Sequence, residues 1–388
     1  MAAFASVCLI GCGGGSGQNS SQPPPPAPAV LALPTNTDAA DSANLANNIW
    51  TINADGSSPT QLTNYYGDAD VTPQALQPIW SPNGSQILYV SDGAFDGSDT
   101  FAQYYYFWIM NADGSGQTPL PAVGPAAYND VGNVADWSHD GTKLAVAAAP
   151  NNEVDLYIMN ADGSDPTLLT GPALGAVWSP DDSTLAFEGS NNGIWTIAAN
   201  GSALTQLTTA GPNYAANAPV WSPDGTMLAF VLSNLQSGGF TIQTMNADGS
   251  NPQSYPGSSY FYNHMIGRIV NWSPDGSQLV FPSTAALDGS STDGNALNLW
   301  IMNSDGSGRQ PLTKYTANGV VFYVPTWSPD GSTIATLSNA ELNGSDAPSL
   351  DTWCIWTLSA SGSGLAPLSA VANGTGWNTF WLQPSWKP

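Results

Sequence analysis

A five-residue motif recurs along this chain and restricts what it can fold into. The clearest copy runs from Trp221 to Gly225 and reads Trp-Ser-Pro-Asp-Gly. Proline presets φ for the second position of a turn, aspartate suits the third, and glycine accepts the left-handed conformation that closes a three-residue hairpin. Each copy therefore predicts a tight connection between two antiparallel strands. Further copies begin at Trp80, Trp137, Trp178, Trp272 and Trp327.

A second recurring turn follows each apolar segment of the repeat. It runs from Asn160 to Gly163 in one copy and reads Asn-Ala-Asp-Gly. Each unit then contains strand a ending in Trp, a hairpin, strand b, a loop, strand c, a second hairpin and strand d. Four antiparallel strands repeated in series predict an all-β fold, the β-propeller. Further copies of this turn begin at Asn53, Asn111, Asn246 and Asn303, with weaker ones at Ala198 and Ser359.

The two chain ends are predicted to complete one blade, because the second motif has one copy more than the first. Residues 30–53 align with residues 279–303 and supply strands b, c and d without a strand a. The segment from Thr379 to Leu382 supplies a strand a with no strand b after it. Joining them predicts a closed, seven-bladed propeller of four-stranded antiparallel blades without exposed edges between blades. Six blades is the alternative.

Most of the 15 tryptophans fall at repeated positions and are expected to pack between the blades. Those predicted to end a strand a are Trp80, Trp137, Trp178, Trp221, Trp272, Trp327 and Trp381. Those in a strand c are Trp50, Trp108, Trp195, Trp300 and Trp356. Trp353, Trp377 and Trp386 are left outside the repeat.

The two motifs together resemble the WSPDG repeat of TolB-like, WD40-like β-propellers, and the resemblance covers nearly all of residues 29–388. TolB itself is a six-bladed propeller behind an N-terminal α/β domain, and it partners a peptidoglycan-associated lipoprotein in the bacterial periplasm. This sequence has one predicted blade more and no segment for that domain. The resemblance therefore implies a propeller of the cell envelope, without the role in the Tol system.

The first residues resemble the signal of a bacterial lipoprotein. Leu9 to Cys12 matches a lipobox, so residues 1–11 are predicted to be a signal peptide and Cys12 the lipidated residue. Residues 12–28 are rich in Gly, Ser and Pro and predict a tether, followed by the propeller at 29–388. The alternative is an accidental cysteine in a disordered tail. Cys354 is then the one cysteine left in the propeller, expected to be a buried, inert thiol.

The charge balance excludes one class of partner. The chain has 5 Lys and Arg against 29 Asp and Glu, a formal net charge of −24. Nucleic acid is excluded, because neutralising phosphates requires basic residues. Contact with a membrane is expected only through the N-terminal lipid anchor, and the protein is expected to be a monomer.

The loops divide the predicted propeller into two faces. The a–b and c–d turns form the hairpin face, and the b–c and d–a connections form the long-connection face, which holds the long insertions. Loops of this length are more often functional than structural. The predicted ligand-binding residues around the channel mouth on that face are Tyr65, Tyr66, Asp68, Asp70, Tyr128, Asp130, Tyr260, Tyr262, His264, Arg268 and Trp377. The alternative is that these rings only cover loop backbones.

Catalytic motifs are missing from the sequence. There are two histidines, His139 in a hairpin and His264 in a long loop, with no Gly-x-Ser-x-Gly or His-Glu-x-x-His pattern. No catalytic residue, cofactor or metal is therefore predicted. Aspartates that share b–c loops are weak calcium candidates, since oxygen ligands suit Ca²⁺, but their spacing matches no EF-hand loop and solvated turn residues are the default interpretation. These are Asp92, Asp96, Asp99, Asp288 and Asp293.

The sequence thus favours a non-catalytic binding or scaffolding module of the cell envelope. Its partner would be a protein or a cell-wall glycan. The alternative is an envelope hydrolase or lyase acting on a glycan or peptide.

Overall fold

A computed structural model shows seven four-stranded antiparallel sheets, the blades of a β-propeller. It describes residues 29–35, 46–65, 74–93, 101–120, 123–124, 135–150, 153–258, 268–285, 296–341, 345–349, 353–368 and 384–388. This confirms the predicted fold class and blade number. A short 3-10 turn, Ser190–Asn192, joins strands b and c of one blade.

The strands in chain order are β1 Val30–Thr35, β2 Asn48–Asn53, β3 Thr60–Gln61, β4 Ala75–Trp80, β5 Gln86–Gly93, β6 Phe101–Asn111, β7 Thr118–Pro119, β8 Ala135–Trp137, β9 Lys143–Ala148, β10 Asp155–Asn160, β11 Thr167–Thr170, β12 Ala173–Trp178, β13 Thr184–Gly189, β14 Gly193–Ala198, β15 Thr205–Gln206, β16 Tyr214–Trp221, β17 Met227–Asn234, β18 Phe240–Asn246, β19 Gln253–Ser258, β20 Asn271–Trp272, β21 Gln278–Ser283, β22 Asn298–Asn303, β23 Gln310–Pro311, β24 Phe322–Trp327, β25 Thr333–Ser338, β26 Cys354–Ser359, β27 Ala366–Pro367 and β28 Ser385–Trp386. Blade 1 has the order β28-β1-β2-β3, and blades 2 to 7 take the remaining strands in consecutive fours.

The chain ends do share blade 1, but through a different segment from the predicted one. Trp386 pairs with Leu31 in the same register as Trp221 with Leu228. The predicted strand from Thr379 to Leu382 is therefore wrong as the partner of β1, and Trp381 lies outside the described residues. The physical reason is visible in the repeat, since a proline two residues before the Trp recurs in several inner strands and precedes Trp386 but not Trp381.

Hydrogen bonds at the axis join every blade to the next. At four junctions the indole Nε1 of a repeat tryptophan donates to the carbonyl oxygen just before the repeat tryptophan of the preceding blade. These bonds are Trp137 to Ile79, Trp221 to Val177, Trp272 to Val220 and Trp386 to Thr326, at 3.1–3.4 Å. At the other three junctions a polar side chain bonds the backbone of the next blade. These bonds are Trp80 N to Ser385 Oγ, Trp178 N to Asp136 Oδ2 and Asn271 Nδ2 to Pro325 O.

The predicted hairpins form as the motif requires. Gly225 has φ +71°, and its N–H donates to the Ser222 carbonyl at 2.8 Å. The Asp224 carboxylate accepts bonds from the Ser222 hydroxyl and from Thr226 N. A Cβ atom added at Gly225 would touch Pro180 of the preceding blade, so neighbouring hairpins pack together.

The two strongest departures from the motif compensate each other. His139 replaces the proline of blade 3, and Asp182 replaces the glycine of blade 4 that would face it. His139 therefore regains an N–H, which donates to Asp182 Oδ1 at 2.6 Å, and its Nδ1 lies 3.1 Å from the same oxygen. Asp182 adopts φ +57°, a left-handed conformation that aspartate tolerates. A polar pair thus takes the place of a proline–glycine contact.

The ring closure generates a prediction about stability. We expect Trp386→Ala to lower the free energy of unfolding by about 3–5 kcal/mol, because the indole is 7% exposed and its loss leaves a cavity between blades 7 and 1. Trp386→Phe keeps most of the volume and should cost about 1–2 kcal/mol, through the unpaired Thr326 carbonyl. Denaturant unfolding measures both.

Trp353→Ala serves as the control for this experiment. Trp353 is half-buried and stacks on Tyr323 with ring centroids 6.0 Å apart. Its removal leaves the hydrogen bond from Trp386 to the Thr326 carbonyl in place, so the loss should be smaller. An unchanged unfolding midpoint for Trp386→Ala would contradict the role of β28 in closing the ring.

Candidate functional site

The inner strands of blades 2, 4, 5 and 7 each contain a β-bulge three residues before the repeat tryptophan. The bulged residues are left-handed, with φ between +42° and +58°. They are Gln77, Gly175, Ala218 and Val324. Three of them are not glycine, and this conformation costs an ordinary residue about 1–2 kcal/mol. Strained bulges are common beside functional sites, and here they are concentrated around the axis.

A cavity of about 240 Å³ lies on the axis, bounded by the inner strands of blades 1, 2, 3, 6 and 7. Arg268 and Asp136 face each other across it, with the guanidinium Nη2 3.1 Å from Asp136 Oδ1. The two side chains are 25% and 15% exposed. Its main polar and aromatic lining residues are Gln77, Asp136, Arg268, Asn271, Trp327 and Trp386.

Hydrogen bonds hold the carboxylate of Asp136 and the main chain of Arg268 in place. Asp136 Oδ2 accepts a hydrogen bond from Trp178 N at 3.1 Å, so the carboxylate bridges the next blade and the guanidinium. Asn271 Nδ2 donates to the carbonyl oxygens of Arg268 and Pro325. The polar groups at the axis are therefore part of the structural framework and are fixed before any ligand arrives.

Glu188 is an acidic residue at a position where other blades have apolar side chains. It pairs with Leu174 beside the bulge of blade 4, and its equivalents are Val90, Val231 and Leu337. Its Oε1 accepts a hydrogen bond of 2.7 Å from Ala218 N. Burial raises the pKa of Glu188 to about 7, although that bond acts in the opposite direction. A carboxyl group with this pKa can hold or release a proton near neutral pH.

Tyr65 and Asp92 are brought together, away from the axial cavity. The Tyr65 hydroxyl bonds with Ser91 and Tyr89 and lies near the charge of Asp92, and burial raises its pKa. Asp92 is 1% exposed and accepts a bond from Gln74 N; burial raises its pKa to about 6. The Tyr65 backbone is held by the Asn48 side chain as Tyr315 is held by Asn298, which makes this a repeated packing position.

Arg268 is thus the predicted ligand-binding residue that the structure places in the cavity. The other candidates of the long-connection face lie outside the described residues: Tyr66, Asp68, Asp70, Tyr128, Asp130, Tyr260, Tyr262, His264 and Trp377. The same holds for Cys12 and for the calcium candidates Asp96, Asp99, Asp288 and Asp293. Their roles stay predictions.

The hairpin face is acidic and stays ionised at low pH. Hydrogen bonds from the hydroxyls of Ser179 and Ser273 lower the pKa values of Asp181 and Asp275 to about 2. Because these values lie below the ordinary 3.8, the bonds stabilise the fold above about pH 4 and are lost as the pH falls towards 2. The other hairpin aspartates with a lowered pKa are Asp55, Asp113, Asp140, Asp162, Asp224, Asp248, Asp305 and Asp330.

The long-connection face of blade 5 exposes two large apolar side chains. Tyr214 begins β16 and is 40% exposed, while Leu235 follows β17 and is 58% exposed. Leu235 N donates to the Asn213 carbonyl at 2.8 Å, so the two side chains are carried by adjacent, hydrogen-bonded segments. Exposed apolar groups that lie side by side on an otherwise polar surface are typical of contact sites.

Several simpler expectations can be compared with the described part of the chain. Cys354 is buried, and burial raises the pKa of its thiol to about 12, which confirms an inert residue. No cluster of three or more His, Cys, Asp or Glu side chains suited to a metal occurs there. Nor does that part contain a helix long and apolar enough to cross a membrane.

The sequence analysis did not predict three residues that lie on or beside the inner strands, namely Asp136, Glu188 and Gln77. Asp136 had a signal, because it is the acidic residue among those that directly precede a repeat tryptophan, where three other copies have Ile or Val. Glu188 had one too, as an acid inside the apolar run of a strand b. The bulge at Gln77 could have been found from the proline that follows it, since Ala218 and Val324 also precede prolines.

The fold and the axial cavity define a closed seven-bladed β-propeller with a polar channel. Residues 126–260 match the family described as the TolB beta propeller domain. The same two motifs build the other blades, so the chain is a seven-bladed β-propeller that contains a match to the TolB beta propeller domain. No curated protein matches it.

Solved structures with a similar fold include enzymes. The periplasmic gluconolactonase of Pseudomonas aeruginosa is 13% identical with a TM-score of 0.54, over 93% of this chain and 99% of its own. An oligogalacturonate lyase of Vibrio parahaemolyticus is 14% identical with a TM-score of 0.54, over 81% and 83%. TolB of Acinetobacter baumannii is 17% identical with a TM-score of 0.49, over 75% of this chain and 65% of its own. Such identities establish a shared fold alone.

Glu188 generates a prediction about pH. Its folded-state pKa lies above the ordinary 4.5, so the fold favours the protonated form and gains stability as the pH falls from 8 towards 5. We expect Glu188→Gln to raise the free energy of unfolding at pH 8 by on the order of 2 kcal/mol. At pH 4.5 the variant should match the wild type. Urea unfolding at both pH values measures this.

The matched control is Glu153→Gln, which removes an exposed glutamate. It should leave stability nearly unchanged at both pH values. An equal effect of Glu188→Gln at pH 8 and pH 4.5 would show that Glu188 does not titrate in this range.

Proposed function

We propose that this protein is a non-catalytic binding or scaffolding module of the bacterial cell envelope. It recognises a protein or cell-wall partner through its long-connection face. The observation that carries the proposal is the pair of exposed apolar side chains, Tyr214 and Leu235, fixed on that face by the strands of blade 5. Aromatic and aliphatic groups on a rigid base act as anchors in protein interfaces.

The properties of the hairpin face also favour binding through the long-connection face. The hairpin aspartates are locked into turns and ionised, so the hairpin face is well solvated and repels anionic polymers. The closed ring has little freedom to change shape, which lowers the entropy lost on binding. The predicted residues of the long loops, among them Tyr260, Tyr262 and Trp377, would extend the contact surface around the Tyr214 and Leu235 pair.

Export and lipid anchoring complete the proposal. Residues 1–11 act as the signal, Cys12 carries the lipid, residues 12–28 form the tether and residues 29–388 the propeller. The support is the order of apolar segment, lipobox-like sequence and Gly/Pro-rich linker. Detergent-phase partitioning that is lost in Cys12→Ser would support the anchor, and unchanged partitioning would contradict it.

An envelope hydrolase or lyase is the second candidate, and Glu188 is the observation that favours it. A carboxyl group with a pKa of about 7 suits general acid–base catalysis. Turnover of a cell-wall glycan or peptide that disappears in Glu188→Gln and in His264→Ala would establish this alternative over the binding module.

A capture experiment tests the binding proposal. We expect the immobilised protein to retain a partner from a cell-envelope extract, and Leu235→Ser combined with Tyr214→Ser to reduce retention about tenfold or more, since hot-spot anchors contribute 2 kcal/mol or more. The Tyr260→Ala and Tyr262→Ala double variant, examined in the same way, tests the predicted loop residues.

Leu204→Ser is the matched control, because Leu204 is 50% exposed but follows a c–d hairpin on the other face. It should retain the partner as the wild type does. Equal losses for Leu204→Ser and for the blade 5 variant would indicate nonspecific adhesion and would count against a specific surface. Thermal melting confirms that each variant is folded.

A further inference from the structure

We propose that the axial cavity is a binding site for a small, uncharged, polyhydroxylated molecule of the size of one sugar ring. The site is separate from the Tyr214 and Leu235 surface and does not depend on it. Its argument rests on the volume, the charge and the unsatisfied hydrogen-bonding groups of the cavity.

The volume limits the ligand to a small molecule. The cavity has a volume of about 240 Å³, just below the roughly 300–1,000 Å³ that is usual for the sites of drug-sized ligands. A folded peptide segment or an oligosaccharide is too large to enter as a whole. A single ring with its hydroxyl groups matches this size.

The charges of the lining exclude a strongly ionic ligand. Arg268 and Asp136 neutralise each other at 3.1 Å, and they are the charged side chains among the described lining residues. An anion would have to draw Arg268 away from Asp136, and a cation would have to do the reverse. Either change leaves a partly buried charge without its counterion, which is unfavourable. A neutral ligand leaves the pair intact.

The lining also contains hydrogen-bonding groups that the fold leaves unused. Gln77 is 8% exposed, and its Oε1 is buried without a hydrogen-bond partner in the described part of the molecule. The Trp327 indole N–H has the same status. One group is an acceptor and the other a donor, and a buried polar atom without a partner is unfavourable. A hydroxyl group both donates and accepts, so a polyol satisfies a mixed set of this kind.

Gln77 is the one of the four bulged residues that borders the cavity. Its φ of +51° at the bulge is a conformation that glycine adopts more easily, and Gly175 occupies the equivalent place in blade 4. Blade 2 therefore keeps a strained residue at the wall of the cavity. Trp386 and Pro78 complete the wall with apolar surface, against which the C–H face of a sugar ring packs.

Calorimetric titration of the full chain tests the inference with four probes: D-glucose, D-galactose, D-gluconate and D-glucosamine. We expect at least one of the two neutral sugars to bind with a Kd of about 1 mM, which is typical of a weak ligand of this size. The anionic gluconate and the cationic glucosamine should bind more weakly. Gln77→Gly should weaken the neutral sugar about tenfold or more, through the lost acceptor.

Gln77→Gly is expected to fold, because glycine relieves the left-handed conformation. Ala218→Gly is the matched control, since it removes the same left-handed strain at the bulge of blade 5, outside the cavity. It should bind the sugar as the wild type does. The proposal is overturned if neither neutral sugar binds, if a charged probe binds more tightly than both, or if Gln77→Gly and Ala218→Gly behave alike.

Discussion

The architecture depends on a ring of hydrogen bonds at the axis, where each inner strand is bonded to the next blade. The repeat tryptophan fills the space between two sheets, and its N–H reaches the backbone of the preceding blade at four junctions. Because the last junction joins Trp386 to Thr326, the ring closes only when the two chain ends meet. Closure thus links the termini of the chain to the stability of every blade.

The candidate site lies where polar side chains, and not indole N–H groups, join neighbouring blades. At three junctions a polar side chain replaces the indole bond, and all three of these residues, Ser385, Asp136 and Asn271, also border the cavity. One carboxylate therefore holds a blade in place and orients Arg268. The side chains that join the blades also border the cavity, so no separate residues are needed to hold the polar lining in place. This explains why a small site can be rigid in a protein with few charged side chains.

The sequence predicted the blades because turn chemistry is local, and Pro-Asp-Gly specifies a hairpin wherever it occurs. It misplaced the closing strand, because Phe380 and Trp381 look more like the apolar end of a strand a than the segment before Trp386 does, and only the pairing with Leu31 identifies Trp386 as the closing residue. The site could be predicted only through Arg268. Contact between Arg268 and Asp136 depends on the ring, which brings together residues from blades 3 and 6, and the pKa of Glu188 depends on burial beside a bulge.

Hydrogen exchange of backbone amides tests the closure of the ring most directly. If β28 and β1 are held by the axial bonds, the amides of blade 1 should exchange only through global unfolding, with the same free energy as those of β13 in blade 4. Exchange of β1 at a distinctly lower free energy than β13 would show that blade 1 opens by itself. That result would contradict a ring in which the chain ends secure the whole propeller.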